Sequence, residues 1–282
     1  MLERIQKYRR DLHQIPELEL ELPKTQRYLQ EALRDLPCTL SSPIPSSVVA
    51  FFDAGKKESI AFRSDMDALP VTEATGRAFA SRHTGCMHAC GHDGHMAMLL
   101  EFAHQLSTYY KELPHNVVLI FQPGEETPGG AEPMCKSGIF EQYHIKRIFG
   151  FHVWPMLDKG VIATRRNEFM ARSSEVNIDI TGKSAHAAKY QEGIDAMEIA
   201  ARYLLELYTM EQEELSAETY RLLRFGLLKS GTVRNVVSNA ARMEGTLRAF
   251  QDETYQYMKK RMLELAKPYE EQGAVFSFDI NT

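Results

Sequence analysis

Between His88 and His95 the chain reads His-Ala-Cys-Gly-His-Asp-Gly-His, which places three histidines, Cys90 and Asp93 within eight residues. Thiolate, imidazole and carboxylate are the usual ligands of zinc and related divalent metals, so this segment points to metal chemistry. His88, His92 and His95 have the i, i+4, i+7 spacing of one helix face. Gly91 and Gly94 argue instead for a loop with close backbone approach. In such a loop Cys90 and His92, two apart, could bind one metal or bridge a pair. A polar loop capping the next helix over a buried cysteine is the purely structural alternative. It suits a lone histidine better than three histidines, a cysteine and an aspartate.

Three further clusters follow apolar runs that read as strands. Arg63-Ser-Asp65-Met-Asp67 follows the run 60–62, Gln122-Pro-Gly-Glu125-Glu126 follows 117–121, and His152 sits at the end of 148–153. Ligands of open α/β sheets bind outside the carboxyl ends of strands, so the clusters are expected to converge. Neighbouring side chains diverge, which lets one of Glu125 and Glu126 bind metal while the other holds a water. Asp65 and Asp67 point the same way on extended backbone. Each cluster has a bland alternative: a solvated acidic helix start, a capped turn, a histidine packed beside Trp154. All of them together do not. Rival signatures are missing: there is no His-Glu-x-x-His, no deaminase His-x-Glu with Pro-Cys-x-x-Cys, and no glycine-rich phosphate loop. Cys86 and Cys90 lack the spacing of a thioredoxin-like pair.

The elements that must carry these residues follow from periodicity. Residues 1–14 read as a helix stopped before Pro16, and Pro23 opens a second with Leu29 and Leu33 in its stripe. Met96, Leu99, Leu100, Ala103 and Leu106 mark a third, among the strand-like runs 48–52, 60–62, 117–121 and 148–153. This alternation predicts an α/β/α domain on a mixed, largely parallel sheet. After about residue 168 the order becomes β-α-β-β-α-β, that of a ferredoxin-like domain. The expected division is therefore 1–168, metal-binding and catalytic, and 169–282. With 282 residues, 44% of them hydrophobic, the chain is long enough for both. A net charge of −5 without a basic stripe disfavours nucleic acid. No signal peptide and no membrane-spanning run is seen, and four cysteines are too few for a disulfide scaffold. A reducing cytoplasm is expected.

Taken in order, Arg9-Arg-Asp-Leu-His-Gln-Ile-Pro-Glu17, Arg63 to Pro70, Met87-His-Ala-Cys-Gly-His-Asp-Gly-His95, Phe121 to Glu126, Phe151-His-Val-Trp-Pro155, Gly182-Lys-Ser-Ala-His186, Gly231-Thr-Val-Arg-Asn235 and Gly245-Thr-Leu-Arg248 give the chain a family likeness. It resembles the aminoacylase/hippurate hydrolase branch of the two-metal amidohydrolases, a group that includes N-acetyldiaminopimelate deacetylase. The resemblance implies hydrolysis of the amide of small N-acyl amino acids at two divalent ions (Mn, Zn or Co). It implies Cys90, His92, Glu126 and His152 as metal ligands, with Cys90 between the ions. Glu125 is the implied general base toward a metal-bridged water, and Asp65 and Asp67 hold ligand imidazoles in the right tautomer. His186 is implied at the substrate carbonyl, Asn235 and Arg248 at its polar groups and carboxylate. The second domain is implied to be a lid through which two copies dimerise. The family continues past the lid into the first domain with a further metal-binding histidine, which is expected to be missing here. A second reading follows: a metal-binding, lid-dimerised fragment without hydrolase activity.

Overall fold

Helix α1 (Leu2–His13) ends just before Pro16, and α2 (Pro23–Leu33) starts on its proline, where a missing N–H costs no hydrogen bond. In this computed structural model residues 1–281 are described. They divide into two units, Met1–Gly160 and a second that begins at Val161.

The first unit is built on five strands: β1 (Thr39–Ser41), β2 (Val48–Phe52), β3 (Ser59–Asp65), β4 (Asn116–Gln122) and β5 (Ile145–Gly150). Their order is β1-β2-β4-β3-β5. Every residue of β4 is buried, so its side chains must meet apolar partners on both faces. Val117, Leu119 and Phe121 join Leu12, Leu29 and Leu100, which come from α1, α2 and α3 (His92–Leu106). Val118 and Ile120 pack instead with Met134 of α4 (Ala131–Lys136) and Ile139 of α5 (Ile139–Gln142). Helices therefore cover both faces of a mixed sheet.

The expectation of a largely parallel sheet needs correcting at one edge. Strands β3, β4 and β5 pair in parallel, but β2 runs antiparallel to β4 and β1 antiparallel to β2. Only residues 53–58 join β2 to β3. A parallel neighbour needs a crossover of about a dozen residues or more, so that link forces the chain to reverse. At the other edge β5 is mostly exposed, with Ile148 and Phe149 nearly half accessible.

Helix α1 is tied to α3 by Arg4, whose Nε and Nη2 donate to the two oxygens of Glu101 at 2.7 and 2.8 Å. That bidentate bond is the main reason the Glu101 carboxyl is held down at about 2. An acid with a depressed pKa stabilises the fold above its ordinary range, and the contribution is lost as pH falls toward the folded value. Arg4 is partly exposed, so Arg4→Met should cost up to about 1 kcal/mol at pH 7. Thermal melts should show the gap between variant and parent closing near pH 2. A gap independent of pH would contradict the assignment.

The second unit contains β6 (Arg172–Thr181), α6 (Ala196–Glu213), β7 (Arg221–Ser230), β8 (Ala240–Ala249), α7 (Asp252–Glu270) and β9 (Val275–Asn281). Its sheet is antiparallel throughout, in the order β7-β8-β6-β9. Val176, Ile178 and Ile180 alternate inward against Tyr203, Leu207, Met258 and Met262 of the two helices. Asp195 caps α6 by accepting the N–H groups of Met197 and Glu198. Among the described residues no helix is long and apolar enough to cross a membrane.

Candidate metal centre

The carboxyl ends of the parallel strands bring the first unit's candidate residues together. Asp65 closes β3, and Asp67 follows it. The chain leaving β4 makes a turn that carries Glu125 and Glu126, and the chain leaving β5 carries His152. The fourth contribution is the first turn of α3. That helix begins at His92, so Gly94 lies inside it, contrary to the loop expected from the two glycines. One interior glycine costs about 1 kcal/mol. The buried stripe Met96, Leu99, Leu100, Ala103 and Leu106 outweighs it. His88 precedes the helix and does not share its face. Gly91 is required where it stands: its φ is +92°, and a Cβ there would meet Val153 Cγ2 at 2.5 Å.

His92 is the hub. Its Nδ1 lies 2.8 Å from the Asp67 carbonyl oxygen, which can only accept, so Nδ1 carries the proton and Nε2 a lone pair. Nε2 lies 3.7 Å from Asp65 Oδ2, 3.7 Å from Glu125 Oε2 and 3.6 Å from Glu126 Oε1. It is buried without a hydrogen-bond partner, and so is Glu126 Oε1. Cys90 Sγ lies 3.4 Å from His152 Nε2, whose ring donates from Nδ1 to the Val153 carbonyl at 2.7 Å. Three groups of ligand atoms result: Cys90, His92 and His152; His92, Glu125 and Glu126; Asp65, His92 and His95. Within each, the atoms lie within 4.8 Å of one another.

The two glutamates converge on His92 rather than diverging. They sit in a turn, where neighbouring side chains need not point to opposite sides as on a strand. Asp67 pins that turn, with Oδ1 accepting the Glu125 N–H at 2.8 Å and Oδ2 the Glu126 N–H at 2.9 Å. Thus Asp67 holds His92 through its carbonyl and the glutamates through its carboxylate. Asp65 Oδ1 accepts from His95 Nδ1 at 2.7 Å and Oδ2 from Arg63 at 2.9 Å.

Electrostatics separates these groups. Burial opposes the charge on Asp65, but the bond from His95, with His92 and Arg63 nearby, holds its pKa at about 2. Burial raises Glu125, and the charges of Glu126 and Asp65 add to that, against His92. Burial likewise pushes the Cys90 thiol up to about 12, helped by Glu126, Glu125 and Asp65. An unpartnered imidazole nitrogen, an unpartnered carboxylate oxygen and a thiol crowded by acids are costly together. A divalent cation would relieve all three, so the donor set fits a metal.

The structure puts His95 on the same helix face as His92. Sequence reasoning counted His95 among the three histidines of the metal-chemistry segment but gave it no role of its own. It also gave none to His13 and Arg9, which bind Asp93 Oδ2 at 2.8 and 2.9 Å behind the first turn of α3. The remaining predicted residues lie in the second unit, and all three are exposed. His186 precedes a short 3-10 turn, and the stretch around it pairs with that around Asn235. Arg248 lies eight residues beyond Ala240 along β8, roughly 27 Å at about 3.4 Å per residue. Residues 182–187 and 235–239 pair off the Ala240 end of that strand, so His186 and Asn235 lie together and Arg248 lies toward the opposite end.

Residues 61–258 match the peptidase family M20/M25/M40. An uncharacterized hydrolase of Staphylococcus epidermidis is 37% identical over 268 residues, covering 94% of this chain and 70% of that protein. The N-acetyldiaminopimelate deacetylase of Lacticaseibacillus casei is 36% identical over 279 residues, covering 96% of this chain and 71% of the relative. Among solved structures, a dinuclear metal-binding M20-family peptidase of Bacillus subtilis superposes with a TM-score of 0.80 at 31% identity, over 99% of this chain and 73% of that one.

Proposed function

The chain belongs to peptidase family M20/M25/M40, and on that premise we propose that it hydrolyses the amide bond of small N-acyl amino acids at a two-metal centre. The observation that carries this reading is the pair of buried, unpartnered atoms His92 Nε2 and Glu126 Oε1, facing each other across 3.6 Å. In this proposal Cys90, His92, Glu126 and His152 hold two divalent cations. Bound cations would supply Lewis-acid polarisation of the amide carbonyl and acidification of a water.

The rest is done by side chains. Glu125 is the more exposed of the two glutamates, 41% against 23%, which suits a base that must meet water and substrate. It takes a proton from the attacking water and returns it to the leaving amine. His186 donates a hydrogen bond to the carbonyl oxygen as charge develops there. Asn235 holds the substrate's polar groups, and the Arg248 guanidinium pairs with its carboxylate. The second unit acts as a lid. The separation of Arg248 from His186 and Asn235 exceeds the length of such a substrate. That supports a homodimer in which each substrate is served by lids of both copies.

The test is hydrolysis of N-acetyl and N-benzoyl amino acids with added Mn²⁺, Co²⁺ or Zn²⁺. The proposal expects cation-dependent turnover that a chelator removes. Metal binding without turnover on any such amide would favour the non-catalytic reading instead.

A further inference from the structure

The segment that carries His152 leaves β5 exposed on most of its surface, with Phe151 61%, Val153 45% and Trp154 56% accessible. Burial therefore does little to fix His152. The side of residues 151–157 that faces α3 is tied down by the 3.4 Å contact of Cys90 Sγ with His152 and by the Val153 N–H to His95 Nε2 at 2.9 Å. The second has a direction that chemistry settles. A backbone N–H can only donate, so His95 Nε2 is the acceptor and its proton sits on Nδ1. That proton is given to Asp65 Oδ1 at 2.7 Å, and Arg63 holds the other Asp65 oxygen at 2.9 Å. The same residue, Val153, then accepts His152 Nδ1 at its carbonyl, at 2.7 Å. A relay results: Arg63, Asp65, His95, Val153, His152. It leaves the His152 lone pair on Nε2, beside Cys90.

We infer that His95 is a positioning residue for the metal centre: by holding Val153 it fixes the place and tautomer of His152. Both of its own nitrogens are spent on this, one on Asp65 and one on Val153, so neither is free for a cation in this arrangement. Ring packing agrees, since His95 lies against His152 with centroids 4.6 Å apart and against His92 at 5.5 Å. The Val153 side chain is seated over Gly91, where any Cβ would collide with it, so its position is fixed from a second side. Residues that orient a metal-binding imidazole typically change affinity by about 10- to 100-fold when removed. The inference rests on the reading of His152 as a ligand.

Two amide substitutions separate the two bonds of His95. Gln carries its amide near the place of Nε2 and can still accept the Val153 N–H, while Asn carries its amide near Nδ1 and cannot reach Val153. Titration of the metal-free protein with Co²⁺, followed by thiolate-to-cobalt absorption and chelator competition, reads the centre without reference to turnover. His95→Asn is expected to weaken Co²⁺ binding about 10- to 100-fold, with His95→Gln close to the parent. Equal affinity in both variants, whether normal or reduced, would overturn the inference. Should His95→Asn fail to fold, His95→Gln decides alone, and weakened binding there counts against it. His152→Ala distinguishes the levels. If it binds Co²⁺ normally, the ligand reading falls and this inference with it. If it binds poorly while His95→Asn binds normally, only the inference falls.

Discussion

Glu125→Gln is expected to lower kcat for N-acyl amino acid hydrolysis by about 10²- to 10⁴-fold while metal content stays at the parent level. The substitution is nearly isosteric, and it leaves the backbone N–H of residue 125 on Asp67 Oδ1, so the turn should keep its shape. What it removes is the capacity to take a proton. Glu125 is suited to that task by its exposure, whereas Glu126, with a buried unpartnered oxygen, is suited to a cation. In the parent the base must be ionised to act. Turnover should therefore fall on the acid side as the carboxylate takes up a proton. Elemental analysis beside steady-state kinetics checks both halves. Parent-level turnover would remove Glu125 from the role of base, and lost metal would make it a ligand instead.

Cys90→Ser should act on the metal itself, weakening affinity by more than about 100-fold, beyond the range seen when only a supporting residue is lost. In the metal-free protein burial and the nearby acids push the thiol up to about 12, so a cation must displace its proton. A serine hydroxyl is far less acidic and a harder donor, and it does not make the same bond. Since one proton leaves as the thiolate forms, parent affinity should climb about tenfold for each unit of rising pH. The serine variant should lack that thiol-linked gain, so its deficit against the parent grows with rising pH. Calorimetric titration with Zn²⁺ at several pH values tests this, and parent-like affinity in Cys90→Ser would exclude the thiol from the centre.

The parts of the fold that could be read from residue order were those governed by local pattern. Pro23 marks the start of α2, and the stripe from Met96 to Leu106 marks α3, because both signals act within one helix. The direction of β2 was hidden, since it depends on which strand its short link lets it reach. Gly94 misled for a related reason: its local cost is real, but tertiary burial of the same helix decides the matter. In the site, residue types and their places after strands pointed to a shared centre for Cys90, His92, Glu125, Glu126 and His152. The hold of Asp67 on the glutamate turn and of His95 on Val153 was not legible. It consists of bonds to backbone N–H and C=O groups, which carry no mark in the side-chain sequence. The spread of Arg248 from His186 and Asn235 likewise appears only once strand register is known.

Asp67 has a consequence for how the centre is held together. One buried residue holds His92, Glu125 and Glu126 at once, so these three form a single stiff body. His152 belongs to an exposed segment and is held through the Val153 N–H bond to His95. The candidate centre thus has one side held by a buried carboxylate and the other held through Val153. Loss of the Val153 N–H bond to His95 should disturb the His152 side and leave the His92, Glu125 and Glu126 side in place.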